Sequence, residues 1–452
     1  MVAEQGAPAS RRERWAWYLY DFGNSAYASA VYLAVYSVYF KDRVVGGAEG
    51  TRLWGVAETI AAIVVLLSGP FLGTLADFAG SKKRFLLFFT AMSCLFTASL
   101  FLIKPGMVVT GIALFVLADI GYRAAQIFYD GLLPEIASPK EMGRVSGVGW
   151  AIGTVGGIVI LLLLMPLEGI LGSIMTPEKV TANALVSRTA MIVTAVFFVL
   201  FAIPVFVWLR EKATRHKLPA GENYLGLAVR RLQSTFRTAR GFKEFLKFIL
   251  AFFVYNDGIM IVMGFASIIG ATLFGLQTQQ ILVFFIIVQL ANVLGSYVFG
   301  VLADRIGVKL SLISSLVLMV AVIIWLFFAH GQVTEFFVIG AVAGLAMAGA
   351  QSVSRTMVAL FAPPGKSAEF FGFFATFGRV SSVIAPLLFG LLAAEAAIWY
   401  EARGVEVAFA EQDGLRLAIL LIAAFIAVGT LLLLLVDEKK AIAAAQQEPE
   451  AL

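Results

Sequence analysis

Cysteine is almost absent from this chain: Cys94 is the only one in 452 residues, so no intrachain disulfide can form, and its place in an apolar run leaves the redox compartment open. Histidine is nearly as scarce. His216 and His330 stand alone, no Cys/His cluster has metal-ligand spacing, and neither a metal nor another cofactor is expected. Charge is thin as well: 14% of residues are charged and 60% are hydrophobic, against roughly 25% and 45–50% in soluble domains. A soluble fold cannot hide that much apolar surface. The net charge of +5 is scattered over short loops instead of being gathered on one face, so no nucleic-acid partner is expected. A phosphate-cradling G-x-x-x-x-G-K-S/T loop is also missing. Gly365, Lys366 and Ser367 supply its tail, but Leu360 holds the first-glycine position, which excludes an ATP-driven pump of that type.

What is present is a series of apolar runs, each near the ~20 residues needed to cross a bilayer core. They cover 15 to 40, 54 to 78, 85 to 103, 107 to 131, 145 to 169, 188 to 209, 245 to 270, 279 to 303, 310 to 330, 334 to 361, 370 to 396 and 414 to 436. That predicts an all-α membrane protein with twelve transmembrane helices. The first run is long, aromatic and interrupted by Asp21, unlike a cleaved signal peptide, so the amino terminus is expected to be retained. With both termini on one side, the loops of that side hold 23 Lys and Arg residues against 8 on the other. The positive-inside rule then puts both termini in the cytoplasm, of the inner membrane if the cell is prokaryotic.

The sequence repeats itself. Residues 73 to 82 read GTLADFAGSK and residues 300 to 309 read GVLADRIGVK, six identities in one pattern displaced by 227 positions. Gln126 with Gln351, Gly147 with Gly372 and Gly153 with Gly378 are each displaced by 225. Six spans per half make the repeats parallel, with a central cavity expected between two pseudo-symmetric six-helix bundles. The expected domains are 1–209, a linker 210–244, 245–437 and a tail 438–452. In the linker, Leu225, Val229, Leu232 and Phe236 recur opposite Arg230, Arg231, Arg237 and Arg240. That pattern predicts either an amphipathic helix on anionic lipid or a solvated basic linker.

The two G-x-L-A-D-x-x-G-x-K segments, each following the second span of its half, resemble the signature loop of the major facilitator superfamily. The segment YDFGNSAYA at residues 20 to 28 resembles the hallmark of the vacuole effluxer-like branch, relatives of the fungal autophagy-related vacuolar amino-acid effluxer. The resemblance implies a major facilitator fold, alternating access and export of a small-molecule solute, with amino acids favoured. It also implies that the signature residues Gly73, Asp77, Gly80 and Lys82, with Gly300, Asp304, Gly307 and Lys309, gate the cytoplasmic side, where a carboxylate can accept from the free amides of a helix start. Arg379, near the inner end of its span, could answer Asp77 across the halves.

Ionisable groups inside spans are costly and face a cavity or a partner by default. At 100° per residue Asp21, Asn24, Ser25, Tyr32, Tyr36 and Tyr39 share one stripe of the first span, expected to line the cavity, with Asp21 binding an ammonium, carrying a proton or bonding a neighbouring helix. Asp119, Tyr122, Arg123, Gln126 and Asp130 share a stripe of the fourth, and Asp119 and Arg123 are spaced to pair. Arg123 and Gln126 also resemble the R-x-x-Q core seen in proton-linked members of the superfamily. The second half offers Tyr255, Asn256 and Asp257, then Gln289, Asn292 and Ser296, then Gln351 with Arg355, a candidate grip on a carboxylate or a partner of Asp257. Glu58 and Glu395 fall near outer ends, where snorkelling is easy, and Gly149, Gly153 and Gly157 favour close helix packing. The expected activity is therefore facilitative or proton-linked export, with membrane lipids as surroundings. The competing readings are a transporter of a drug, sugar or lipid-like solute, a sensor or scaffold of the same fold, and a membrane-embedded enzyme, which would not explain why the motifs recur in both halves.

Overall fold

The computed structural model describes residues 10–79, 81–137, 141–174, 185–211, 242–329, 331–363 and 367–447, and every regular element among them is helical. Residues 212–241 of the expected linker, which hold its amphipathic pattern, and Gly80 lie outside what is described, as do the burial of Gly73 and the side chains of Asp77 and Arg379.

The first span starts from a capping box. Ser10 Oγ accepts from the amide of Glu13 at 3.2 Å, and the Ser10 amide donates to Glu13 Oε2 at 2.8 Å, satisfying two orphan donors at the start of α1 (Arg11–Ala26). Past Ala26 the winding loosens. Tyr27–Ala34 is π-helical, Tyr36–Tyr39 (α2) is a single α turn, and Phe40–Val45 is π-helical again before Gly46 ends the rod at φ 93°, a conformation suited to glycine.

Then follow α3 (Gly47–Ala79), α4 (Lys82–Ser99), α5 (Val108–Gly131), the short α6 (Leu133–Ile136), α7 (Met142–Leu164), the short α8 (Leu167–Ile174), and α9 (Leu185–Trp208). The second half brings α10 (Lys243–Phe274), α11 (Thr278–Ile306), α12 (Val308–Phe328), α13 (Val333–Phe361), α14 (Ser367–Glu401), α15 (Val407–Leu434) and the terminal α16 (Glu438–Gln447). Eleven helices among the described residues are long and apolar enough to cross a membrane. The expected first span is not among the eleven, because α1 has only 16 residues, opens on Arg11, Arg12, Glu13 and Arg14, and hands over to π turns.

The chain divides into two compact units, Met1–Gly46 with Ile60–Val229, and Gly47–Thr59 with Arg230–Leu452. α3 is thus shared: its beginning counts with the second unit, where Trp54 Nε1 donates to the Gly264 carbonyl at 3.1 Å and Thr59 Oγ1 to that of Val383 at 2.9 Å. Glu58 is 1% exposed there, so it does not snorkel as its position near a span end suggested. Inside each unit the same pairs pack. α1 lies on α7 and α9 as α10 lies on α14 and α15, and α4 lies on α5 and α9 as α12 lies on α13 and α15.

Each unit also closes its sixth span with a clip, in which only Lys309 belongs to the repeated motif. Glu13 accepts from the amide of Arg210 at 3.2 Å, and Glu244 accepts from that of Asp437 at 2.7 Å. Lys83 Nζ donates to the carbonyls of Phe206 and Leu209 at 3.0 and 2.6 Å, and Lys309 Nζ to those of Leu434 and Val436 at 2.9 and 2.6 Å. A cation among the last carbonyls of a helix satisfies orphan acceptors and meets the negative end of the dipole. The amides of Lys82 and Lys83 that open α4 are taken by Glu211, Lys82 Nζ binds Gly131 O and Glu135, and Asp304 is exposed. Lys309→Met, which keeps the apolar stem, is expected to cost about 1.5–3 kcal/mol, the range for hydrogen bonds to charged groups, read as a lower thermal midpoint in detergent. Beyond the clip, hydrogen bonds from Lys440 hold the carboxyl of Asp437 below its ordinary range, so that pairing fades only as pH falls through the lowered value.

Candidate functional site

In the first unit the polar side chains of the first span and α5 converge. Asp119 is 1% exposed and accepts from Arg123 Nε at 2.5 Å, one turn along α5, and from Tyr27 Oη at 3.4 Å. The Tyr27 ring stacks on Tyr122 with centroids 4.6 Å apart, and the Arg123 guanidinium lies 5.7 Å from the centre of the Tyr32 ring. A buried carboxylate thus holds a guanidinium whose side chain stays 23% accessible, between aromatic faces. Such a cation can receive a carboxylate while the rings receive apolar or ammonium groups.

Beneath this cluster the aromatic residues act as anchors. Trp17 stacks on Tyr129 at 4.3 Å and donates through Nε1 to its carbonyl at 3.1 Å, and Tyr20 shares a 2.7 Å hydrogen bond with Thr90. Asp21 and Ser25 face α7: a Cβ on Gly153 would come within 2.6 Å of Asp21 Oδ2 and 3.0 Å of Ser25 Oγ. Gly149 lies against Trp17, and Gly156, beside the expected Gly157, lies against the backbone of Phe22, so close packing falls on Gly149, Gly153 and Gly156.

The expected tyrosine stripe divides. Tyr32 reaches Arg123, but Tyr36 is fully buried with its hydroxyl on the Gly111 carbonyl at 3.1 Å, and Tyr39 donates to that of Ile103 at 2.8 Å. A stripe drawn at 100° per residue loses phase across Tyr27–Ala34, where i→i+5 bonding puts more residues in each turn. Tyr27, off the stripe by that arithmetic, is the residue that reaches Asp119; its signal was its place inside YDFGNSAYA. Asn24 is buried, and Gln126 is half-buried on α5.

The second unit is arranged differently. On α10, Tyr255 Oη bonds Ser354 Oγ at 2.6 Å and Asn256 Nδ2 donates to Ser381 Oγ, tying the helix to α13 and α14. Asp257, next along α10, is 2% exposed, makes no ion pair among the described residues, and its Oδ1 has no hydrogen-bond partner there. Arg355 is exposed on α13 and does not pair with Asp257. Gln289, Asn292, Ser296 and Gln351 are half-buried, and Glu395 is exposed. The structure therefore brings Asp119, Tyr122, Arg123 and Tyr32 together, and leaves Asp257 apart from Arg355.

Residues 54–446 match the family described as vacuole effluxer Atg22 like. The chain belongs to this family. The match begins at Trp54, so the segment at residues 20 to 28 lies ahead of it. A relative from Bacillus subtilis, named an uncharacterized MFS-type transporter, YxiO, is 28% identical over 382 residues, 84% of this chain and 87% of that one. Autophagy-related protein 22-1 of Aspergillus fumigatus is 27% identical over 275 residues, 56% of this chain and only 44% of the fungal protein. Among solved structures, a bacterial homolog of the human lysosomal transporter Spinster, in an inward-facing and unoccupied conformation, superposes with a TM-score of 0.74 over 98% of this chain and all of that one, at 13% identity. The nucleoside transporter NupG gives 0.69 over 94% of this chain and 98% of that one, at 12% identity. The Atg22-like chain is a multi-pass membrane transporter of the major facilitator type.

Proposed function

We propose that this Atg22-like chain exports small zwitterionic metabolites, amino acids foremost, by alternating access, with both termini in the cytoplasm. The observation that carries the reading is the first-unit cluster, in which Asp119 positions a partly accessible Arg123 beside Tyr27, Tyr32 and Tyr122. A zwitterion needs a cation for its carboxylate, and a π face or carboxylate for its ammonium. The family name and the named MFS-type relative support efflux of a small solute. We assign 1–209 and 245–437 as the paired bundles, joined by a linker at 210–244 and followed by a tail at 438–452, with the signature residues and Arg379 as their gate.

Counterflow in proteoliposomes tests this directly. Vesicles preloaded with each unlabelled amino acid should accumulate the labelled one above empty liposomes for one chemical class, with or without a proton gradient. If verified, folded protein exchanges none of them, the amino-acid assignment is lost.

A further inference from the structure

We infer that Asp257 is the proton-carrying site of this transporter, loaded and emptied once per cycle. The inference rests on the exporter reading only for what the proton drives; the site itself stands on the geometry of the second unit.

An ionisable side chain inside a bilayer costs at least roughly 2.5–3.5 kcal/mol on insertion scales, and at the middle of α10 the chain holds a carboxylate that has no ion pair among the described residues. Asp257 is 2% exposed and its Oδ1 has no partner among the described residues. Among the elements packed against α10, α3 meets it where Trp54 donates to the Gly264 carbonyl, and carries the buried Glu58. On α10 itself Tyr255 is engaged with Ser354, and Asn256 with Ser381. α15 passes at Ile426 and Gly429, against Gly258 and Tyr255, and the segment from Ile426 to Gly429 has no titratable residue. α13 brings Arg355 beside Ser354, exposed and not bonded to Asp257, and α14 carries Arg379 two positions before Ser381 in sequence, its side chain outside the described residues. The neighbouring hydroxyls of Tyr255, Ser354 and Ser381 are each already hydrogen-bonded, whereas a sodium ion needs a shell of several oxygens. A proton discharges a carboxylate with no further ligand. Asp119, in contrast, is neutralised by Arg123 and hydrogen-bonded by Tyr27, so it is poorly placed to trade protons.

The test separates site from cargo. In acid-minus-alkaline difference infrared spectra of the reconstituted full chain, the native protein should show a protonated-carboxyl stretch that is lost in Asp257→Asn and shifted in Asp257→Glu. In the same vesicles, Asp257→Asn should retain amino-acid counterflow while gradient-driven accumulation falls to the level of empty liposomes, and Asp257→Glu should restore part of it. A structural role would lower both transport modes together. Spectra identical in native protein and Asp257→Asn, or gradient-driven accumulation surviving in Asp257→Asn, would overturn the inference. An Asp257-dependent band in a chain that exchanges no amino acid would uphold the proton site and remove the exporter reading instead.

Discussion

Gly156→Leu is expected to destroy the packing of the first span on α7, leaving little monodisperse protein after detergent extraction. A Cβ at Gly156 would overlap the carbonyl oxygen, carbonyl carbon and Cα of Phe22, all of them backbone atoms. No rotamer relieves a clash with a main chain, so α1 and α7 must separate. Overpacking that flexible side chains can absorb costs about 1–3 kcal/mol; here the loss should exceed that range, because it spreads to the Trp17 contact at Gly149 and the Asp21 contact at Gly153. Gly147→Leu is the control, since nothing lies within 4 Å of a Cβ there. A native elution profile and melting temperature for Gly156→Leu would show that the two helices are not held as close as described.

The second large effect belongs to the Asp119 and Arg123 pair. Arg123→Ala strands a carboxylate that is 1% exposed, and breaking a buried pair from one side costs about 3–5 kcal/mol. Asp119→Asn in the same background should recover much of that stability, because an amide needs no counter-charge, yet it should not recover solute exchange if Arg123 grips the carboxylate. Thermal unfolding and counterflow, measured on both single variants and the double variant, give the coupling by cycle. Equal melting of native protein and Arg123→Ala would mean that Asp119 has another neutralising partner.

The all-helical membrane fold and its duplication could be read from the sequence because both rest on composition and spacing. Runs of apolar residues about as long as a bilayer is thick have few other uses, and G-x-L-A-D-x-x-G-x-K repeats at one displacement. The Asp119 and Arg123 pair was equally legible, as i and i+4 residues on a regular helix. What could not be read depended on departures from regularity or on distant chain segments. The π winding of Tyr27–Ala34 has no one-residue signature, and it decides that Tyr36 and Tyr39 anchor to Gly111 and Ile103 while Tyr27 meets Asp119. Glu13 and Glu244 look like ordinary first-turn acids, and only folding brings them to the amides of Arg210 and Asp437. Arg355 and Asp257, plausible partners by charge, are separated because the former is exposed and the latter buried.

The lysine clips have a practical consequence for experiments that exploit the internal symmetry. By alignment the mate of Lys309 is Lys82, yet Lys82 Nζ binds Gly131 and Glu135, and it is Lys83 that shares the work of Lys309 at the end of the sixth span. The duplicated halves have kept a bond while moving it by one residue. Substituting aligned positions in parallel would therefore compare unlike chemistry, and an apparent asymmetry between halves would come from the choice of positions and not from the transport cycle. Mirror-image mutagenesis of this chain should be designed on matched contacts, taking Lys83 with Lys309 and Glu13 with Glu244.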